Sequence, residues 1–132
     1  MKTKPAPRTD DRDFQVWEYQ ISHGQLLIRS PKAPATGTSP ERRTNVDLIF
    51  LGVEYMSLPR VFRGLTLGQA TAEELRLLEA TLGNAPAPDD VRMLVSGGKR
   101  FAVVAASVDV LENDWDIFDS PFQFRSQFRG AP

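Results

Sequence analysis

Residues 45–58 read NVDLIFLGVEYMSL, and this stretch predicts a β-strand near the centre of a sheet. Its apolar residues first alternate with Asp47, and Ile49 then makes both faces apolar near the middle of the stretch. That pattern is typical of a strand covered on both sides. Gly52 inside the stretch predicts a bulge or a close approach of another backbone, and Pro59 ends the strand.

Residues 14–29, FQVWEYQISHGQLLIR, predict a β-hairpin upstream of this strand. Two strand-like runs flank His23 and Gly24, which we interpret as a two-residue turn with positive φ at both positions. Glycine adopts that conformation freely, and histidine is among the residues enriched there. The expected cross-strand pairs are Ile21 with Leu26 and Tyr19 with Ile28.

Downstream, the pattern predicts one helix between further strands. A short strand is expected over 61–67, broken at Gly64. The helix is expected over 71–82, because Thr71 and Glu74 form a capping box and leucines recur at helical spacing. A second hairpin is expected over 91–110, turning at Gly97-Gly98. The Gly-Gly-Lys at that turn lacks the spacing of a nucleotide-binding phosphate loop.

Together these elements predict an α+β fold. We expect a mainly antiparallel sheet of about six strands, arranged as a sandwich or half-barrel, with one packed helix. Residues 1–13 are Lys-, Asp- and Pro-rich and predict a disordered arm, and 14–132 are expected to form a single domain. Residues 30–44 contain three prolines and no large apolar side chain, which favours a mobile loop.

Composition narrows the functions to be tested. The 132 residues contain one histidine and no cysteine. This composition excludes His-rich metal sites, cysteine zinc sites and Cys–His dyads. The formal net charge of -1 argues against nucleic acid or an anionic membrane as partner. We therefore expect a cytoplasmic protein and assign no catalytic residue, no cofactor and no metal.

His23 itself has two interpretations. As a general base it would need a nucleophile and an orienting carboxylate nearby, and no GxSxG motif is present. We favour the interpretation of His23 as a turn residue.

The acidic stretch 109–119, DVLENDWDIFD, and the Phe-rich segment that follows it are the candidate binding region. The stretch has no basic residue, so it favours a basic protein partner. Its plainest interpretation is a solvated loop with Trp115, Ile117 and Phe118 turned inward. The phenylalanines after it predict either a last edge strand or an apolar patch for a partner. The candidate partner-binding residues are Asp109, Glu112, Asp114, Asp116, Asp119, Phe122, Phe124 and Phe128.

Two other functions remain open from the same residues. Asp109, Glu112, Asp114 and Asp116 have the oxygen ligands that a divalent cation prefers, so a carboxylate- or metal-dependent hydrolase is one alternative. The EF-hand pattern is not met by this stretch. The other alternative is a structural subunit of a homo-oligomer, with the Phe-rich tail buried between copies.

Two segments carry a family resemblance. VWEYQISHGQLLIRSP (16–31) and TNVDLIFLGVEYMSLPR (44–60) resemble small bacterial immunity-type proteins found beside polymorphic toxins. The resemblance covers about half of the chain and lies in strand pattern rather than in catalytic residues. It implies a non-enzymatic binding role, in which the protein masks a basic surface of its partner.

Overall fold

Two antiparallel sheets and one helix make up the described part of the molecule. The computed structural model describes residues 7–122. The strands are β1 (Asp13–Gln20), β2 (Gln25–Ser30), β3 (Asn45–Leu51), β4 (Tyr55–Ser57), β5 (Val61–Arg63), β6 (Thr66–Gln69), β7 (Val91–Ser96), β8 (Lys99–Val104) and β9 (Ser107–Asn113). The helix α1 spans Ala72–Leu82. The expected α+β class is therefore confirmed.

The two sheets are continuous at their edges. The five-stranded sheet has the order β5-β1-β2-β3-β9, and the four-stranded sheet has the order β4-β8-β7-β6. Three strands continue from one sheet into the other: β3 into β4, β5 into β6, and β8 into β9. The short connection from β4 to β5 also changes sheet. The nine strands therefore correspond to six longer ones that close a circuit around one core. The count of about six expected from the sequence differs because three of these strands bend.

Gly52 is the bend between β3 and β4, so the single strand predicted over 45–58 is in fact two. Its φ is +65°, and an added Cβ would lie 3.0 Å from the Cβ of Ala106. The predicted close approach at Gly52 is confirmed, and it occurs where the β8–β9 segment also bends. The two bends let one antiparallel ribbon cross from one sheet to the other.

The first hairpin forms, but with a different register from the predicted one. Tyr19 lies opposite Leu26, and Val16 lies opposite Ile28. The residues Ile21–His23 form a 3-10 turn instead of extending the strand, and Ile21 is 83% exposed. Only Gly24 has a positive φ, so the positive φ expected for His23 is wrong. A bulge at Trp17 shifts the remaining pairs.

The interior between the two sheets is apolar, and a second cluster lies under the helix. Phe14, Phe50 and Leu94 belong to the interior cluster. Leu78 of α1 packs instead on Met93 and other residues on the far side of the four-stranded sheet. Within residues 7–122 no helix is long and apolar enough to cross a membrane.

The helix begins and ends where the sequence predicts. Thr71 accepts a hydrogen bond from the backbone of Glu74 and the Glu74 carboxylate accepts one from the backbone of Thr71, at 3.1 and 2.9 Å. Gly83 ends the helix with a φ of +82°. Arg100 on β8 adds two contacts to the Glu74 carboxylate, at 2.8 and 3.0 Å.

We expect the Glu74–Arg100 pair to make stability pH-dependent. The hydrogen bond from Arg100 is the main cause that lowers the pKa of Glu74 to about 2. A carboxylate with a lowered folded-state pKa stabilises the fold above its unfolded pKa, near 4.5, and loses that contribution as pH falls toward about 2. Glu74→Gln keeps the capping box but loses the ion pair, at a cost of about 1 kcal/mol. In urea unfolding, the gap between wild type and Glu74→Gln should close as the pH falls from 5.5 to 2.5; a constant gap would contradict the assignment.

The two segments predicted to be disordered or mobile have contacts within the described residues. Arg12, in the predicted arm, is buried and donates to Ser30 and Thr44. Within 30–44, Ala33 and Arg42 form an antiparallel bridge. Residues 1–6 lie outside the described part of the chain. The disorder of the arm and the mobility of the loop stay predictions.

Candidate functional site

A buried ion pair lies on the outer face of the five-stranded sheet. Arg29 of β2 and Asp47 of β3 are directly opposite each other, and both side chains are 0% exposed. The guanidinium binds the carboxylate through two hydrogen bonds, of 2.7 and 2.9 Å. Both residues belong to strands whose other residues are mostly apolar, so their charges are removed from water and depend on each other.

Two asparagines and one tryptophan complete this polar cluster. Asn113 of β9 donates to Asp47 at 3.0 Å, and Asn45 donates to Asn113 at 2.9 Å. The Trp17 ring lies over the Arg29 guanidinium, 5.5 Å from centroid to cation. Trp17 is the residue at the bulge in β1, so the bulge places the ring on the outer face above Arg29.

The same cluster fixes the segment 114–122, which follows β9. Arg29 donates to the carbonyls of Ile117 and Asp119, at 2.9 and 2.6 Å. Asn45 donates to the carbonyl of Trp115 at 3.0 Å. The segment therefore covers the outer face of the five-stranded sheet, much as α1 covers the other sheet. We call residues 114–122 the strap.

The acidic residues predicted to bind a partner are divided between β9 and the strap. Asp109 and Glu112 lie on β9, so the interpretation of 109–119 as one continuous loop is wrong for its first half. Pairing with β3 places these two residues in a strand, which the local charge density did not predict. Asp114 and Asp116 are exposed on the strap, and Asp119 is half-buried.

These carboxylates face solvent rather than one another. Glu112 accepts a hydrogen bond from the Thr44 hydroxyl. Asp116 accepts one from the backbone of Phe118 at 2.9 Å. Among residues 7–122, no group of three or more histidine or acidic side chains is placed to hold a metal ion.

Phe118 is the most exposed aromatic side chain described at this surface. The turn 116–119 is held by Asp116 and by Arg29, and Phe118 is 76% exposed on it. Trp115 and Leu111 beside it are 39% and 51% exposed. The expectation that Phe118 points inward is therefore wrong: the backbone faces the buried cluster, and the side chain faces solvent.

The predicted Phe-rich binding residues are only partly described. Phe122 is 4% exposed, so it packs inward and offers no apolar surface in this structure. Phe124 and Phe128 lie outside the described residues. His23 is exposed in the 3-10 turn of the first hairpin, as expected of a turn residue.

Sequence reasoning missed the buried cluster. The signal was a charged residue in each of two apolar strands, Arg29 in QLLIRS and Asp47 in NVDLIFL. Opposite charges at facing positions of neighbouring strands predict a pair, but only once the register is known.

Neither the protein-family models, nor the curated proteins, nor the solved structures contain a match to this chain.

Proposed function

We propose that the chain is a non-enzymatic bacterial binding protein of the cytoplasm that captures a basic protein partner. Its contact area, which we call the acidic surface, combines exposed carboxylates with exposed apolar side chains. The residues are Asp109, Leu111, Glu112, Asp114, Trp115 and Phe118. The observation that carries the proposal is Phe118, exposed on a turn whose backbone is anchored to a buried ion pair.

The anchored turn and the surrounding charges both favour binding of a basic partner. An exposed aromatic side chain on an anchored turn loses little conformational freedom on binding, and aromatic anchors contribute much of the binding energy in protein interfaces. Carboxylates around such an anchor steer a basic partner and disfavour an acidic one. In its most specific form the proposal is an immunity-type role, in which the acidic surface masks the basic surface of a toxin or nuclease.

We expect substitutions on the acidic surface to abolish capture of a specific partner. Phe118→Ser removes the anchor, and its matched control is Leu77→Ser, because Leu77 on α1 is also apolar and 62% exposed. Asp114→Lys reverses a charge, and its control is Glu79→Lys on α1, which changes the net charge equally. Quantitative affinity capture from the native host should recover a basic protein with wild type and both controls. Calorimetry with the purified partner should show affinity at least about tenfold weaker for each surface variant.

Two results distinguish the general proposal from its specific form. Equal capture by wild type and by Phe118→Ser, or no captured protein at all, would contradict the acidic surface as a binding site. The immunity-type role further requires that the captured protein arrest growth when expressed alone and that co-expression of wild type restore growth. A partner that is harmless when expressed alone would remove that role and leave the binding function.

A further inference from the structure

Arg12 is a buried cation with no ion pair in the described part of the chain. The residue is 7% exposed. Its Nε donates to the Ser30 hydroxyl at 2.9 Å, and its Nη2 donates to the carbonyls of Thr44 and Ser30, at 2.7 and 3.2 Å. All three acceptors are uncharged. No ion pair joins Arg12 to a carboxylate among residues 7–122.

The contrast with Arg29 makes this arrangement unusual. Arg29 is more fully enclosed, with 0% of its surface exposed, but Asp47 neutralises it through two hydrogen bonds. A buried guanidinium without an anion is costly, because the charge loses hydration without gaining a counter-charge. Burial is the largest cause that lowers the pKa of Arg12, and the charge of Arg42 is the next. Together they outweigh the carboxylates of Glu112, Asp11 and Asp47, which raise that pKa. Arg12 therefore lies in an environment that favours an added negative charge.

Arg12 and Arg42 line a cleft of about 510 Å³ between the start of β1 and the loop after β2. This volume is within the usual range for a site that holds a small molecule. Thr36, Thr38 and Ser39 contribute hydroxyl groups to its wall, and the Ala33–Arg42 bridge closes the loop that carries them.

Two carboxylates also line the cleft, and each lies near a different cation. Asp11 is 4.0 Å from Arg42, and Asp13 is 3.8 Å from Arg63. Neither forms an ion pair with Arg12. Arg63 is not among the residues that line the cleft, so the lining charges of two arginines and two carboxylates balance. Arg12 is the lining cation that forms no ion pair within residues 7–122.

We propose that this cleft binds a small molecule through a phosphoryl group. The Nη1 of Arg12 takes part in none of the hydrogen bonds above, so two N–H donors remain for an anion. Arg42 supplies a second guanidinium, and the hydroxyls of the loop supply further donors. A phosphoryl group carries close to two negative charges and has three acceptor oxygens, so it can satisfy both guanidinium groups together. This site is separate from the acidic surface and does not depend on the proposed partner.

The test is a titration of the full chain with inorganic phosphate. Binding is monitored by amide NMR chemical shifts, and chloride keeps the ionic strength constant. We expect saturating shifts centred on residues 36–42. Arg42→Gln should weaken binding by about tenfold, because one charged donor is lost. Arg43→Gln is the matched control, because the Arg43 side chain is 85% exposed and its ion pair within residues 7–122 is with Glu41. The affinity of this variant for phosphate should equal that of wild type.

Arg12→Lys is the second variant, because it keeps the positive charge but loses the planar guanidinium with its paired N–H donors. It should retain the wild-type spectrum outside the cleft and also bind phosphate more weakly. The proposal is overturned if the shifts do not saturate, if Arg42→Gln and Arg43→Gln bind phosphate equally, or if acetate at the same ionic strength binds as tightly as phosphate. The last outcome would assign the cleft to carboxylates instead.

Discussion

Asp47→Asn is expected to destabilise the fold by about 3–5 kcal/mol, because it leaves the enclosed Arg29 guanidinium without its counter-charge. Both side chains are 0% exposed, so water cannot replace the lost carboxylate. The Asn113 amide also loses the charged acceptor that it contacts at 3.0 Å. Urea unfolding at neutral pH measures the effect. Asp109→Asn is the matched control: Asp109 is exposed on β9, and its substitution should change stability by less than about 0.5 kcal/mol.

A double variant separates the charge from the anchoring of the strap. Arg29→Met with Asp47→Leu removes both charges and should recover most of the stability lost in Asp47→Asn. It also removes the donors to the carbonyls of Ile117 and Asp119. Amide exchange at Asp119, which donates to the Asp116 carbonyl, should therefore become faster even where global stability is restored. Asp47→Asn within about 1 kcal/mol of wild type, or unchanged exchange in the double variant, would contradict the role given to this pair.

The anchoring of the strap links this stability prediction to the proposed function. If Phe118 binds a partner because its turn is held in advance, the double variant should bind more weakly although Phe118 itself is intact. Binding at wild-type strength by that variant would show that the exposed side chain alone is sufficient. The comparison with Phe118→Ser thus separates the contribution of the side chain from that of its support.

Elements set by local interactions were predictable, and elements set by distant pairing were less so. The helix follows from Thr71, Glu74 and Gly83, which act within a few residues of its ends. The Gly97-Gly98 turn is equally local, and both of its glycines have positive φ. The register of the first hairpin failed because the chain turns over Ile21–His23 and Gly24 instead of over two residues. The bulge at Trp17, which has no distinct sequence signal, shifts the pairs beyond it by one more residue.

The acidic surface was hard to predict for the same reason, because distant parts of the chain determine it. Asp109 and Glu112 read as part of a solvated acidic loop, yet β9 pairs with β3, more than fifty residues earlier in the chain. The outward direction of Phe118 depends on Arg29, which lies still further away. Local hydrophobicity predicts that Phe118 is buried. In the structure, Arg29 binds the backbone carbonyls on either side of Phe118, and the ring faces solvent. The buried arginines, Arg12 and Arg29, are visible only once long-range pairing is known.

Gly64→Ala is the second substitution with a large expected effect, because both space and backbone conformation oppose it. Gly64 connects β5 to β6 with a φ of +70°, and an added Cβ would lie 2.6 Å from the carbonyl oxygen of Asp10. That contact is with backbone, which cannot rotate away as a side chain can. The Gly64 amide also donates to the Arg12 carbonyl at 2.8 Å, so a shift at this bend moves the segment that carries Arg12.

Gly83→Ala isolates the conformational part of the cost. Gly83 has a similar φ of +82°, but an added Cβ meets nothing within 4 Å. We expect about 1 kcal/mol for Gly83→Ala and about 3 kcal/mol for Gly64→Ala in urea unfolding, the difference being the clash with Asp10.

Removal of residues 1–10 tests the origin of that difference. The deletion takes away the Asp10 carbonyl, so Gly64→Ala in the shortened chain should cost only about as much as Gly83→Ala. Equal costs for the two substitutions in the full chain would show that the Asp10 carbonyl does not restrict a side chain at Gly64. A cost at Gly64 that survives the deletion would instead locate the strain within β5 and β6.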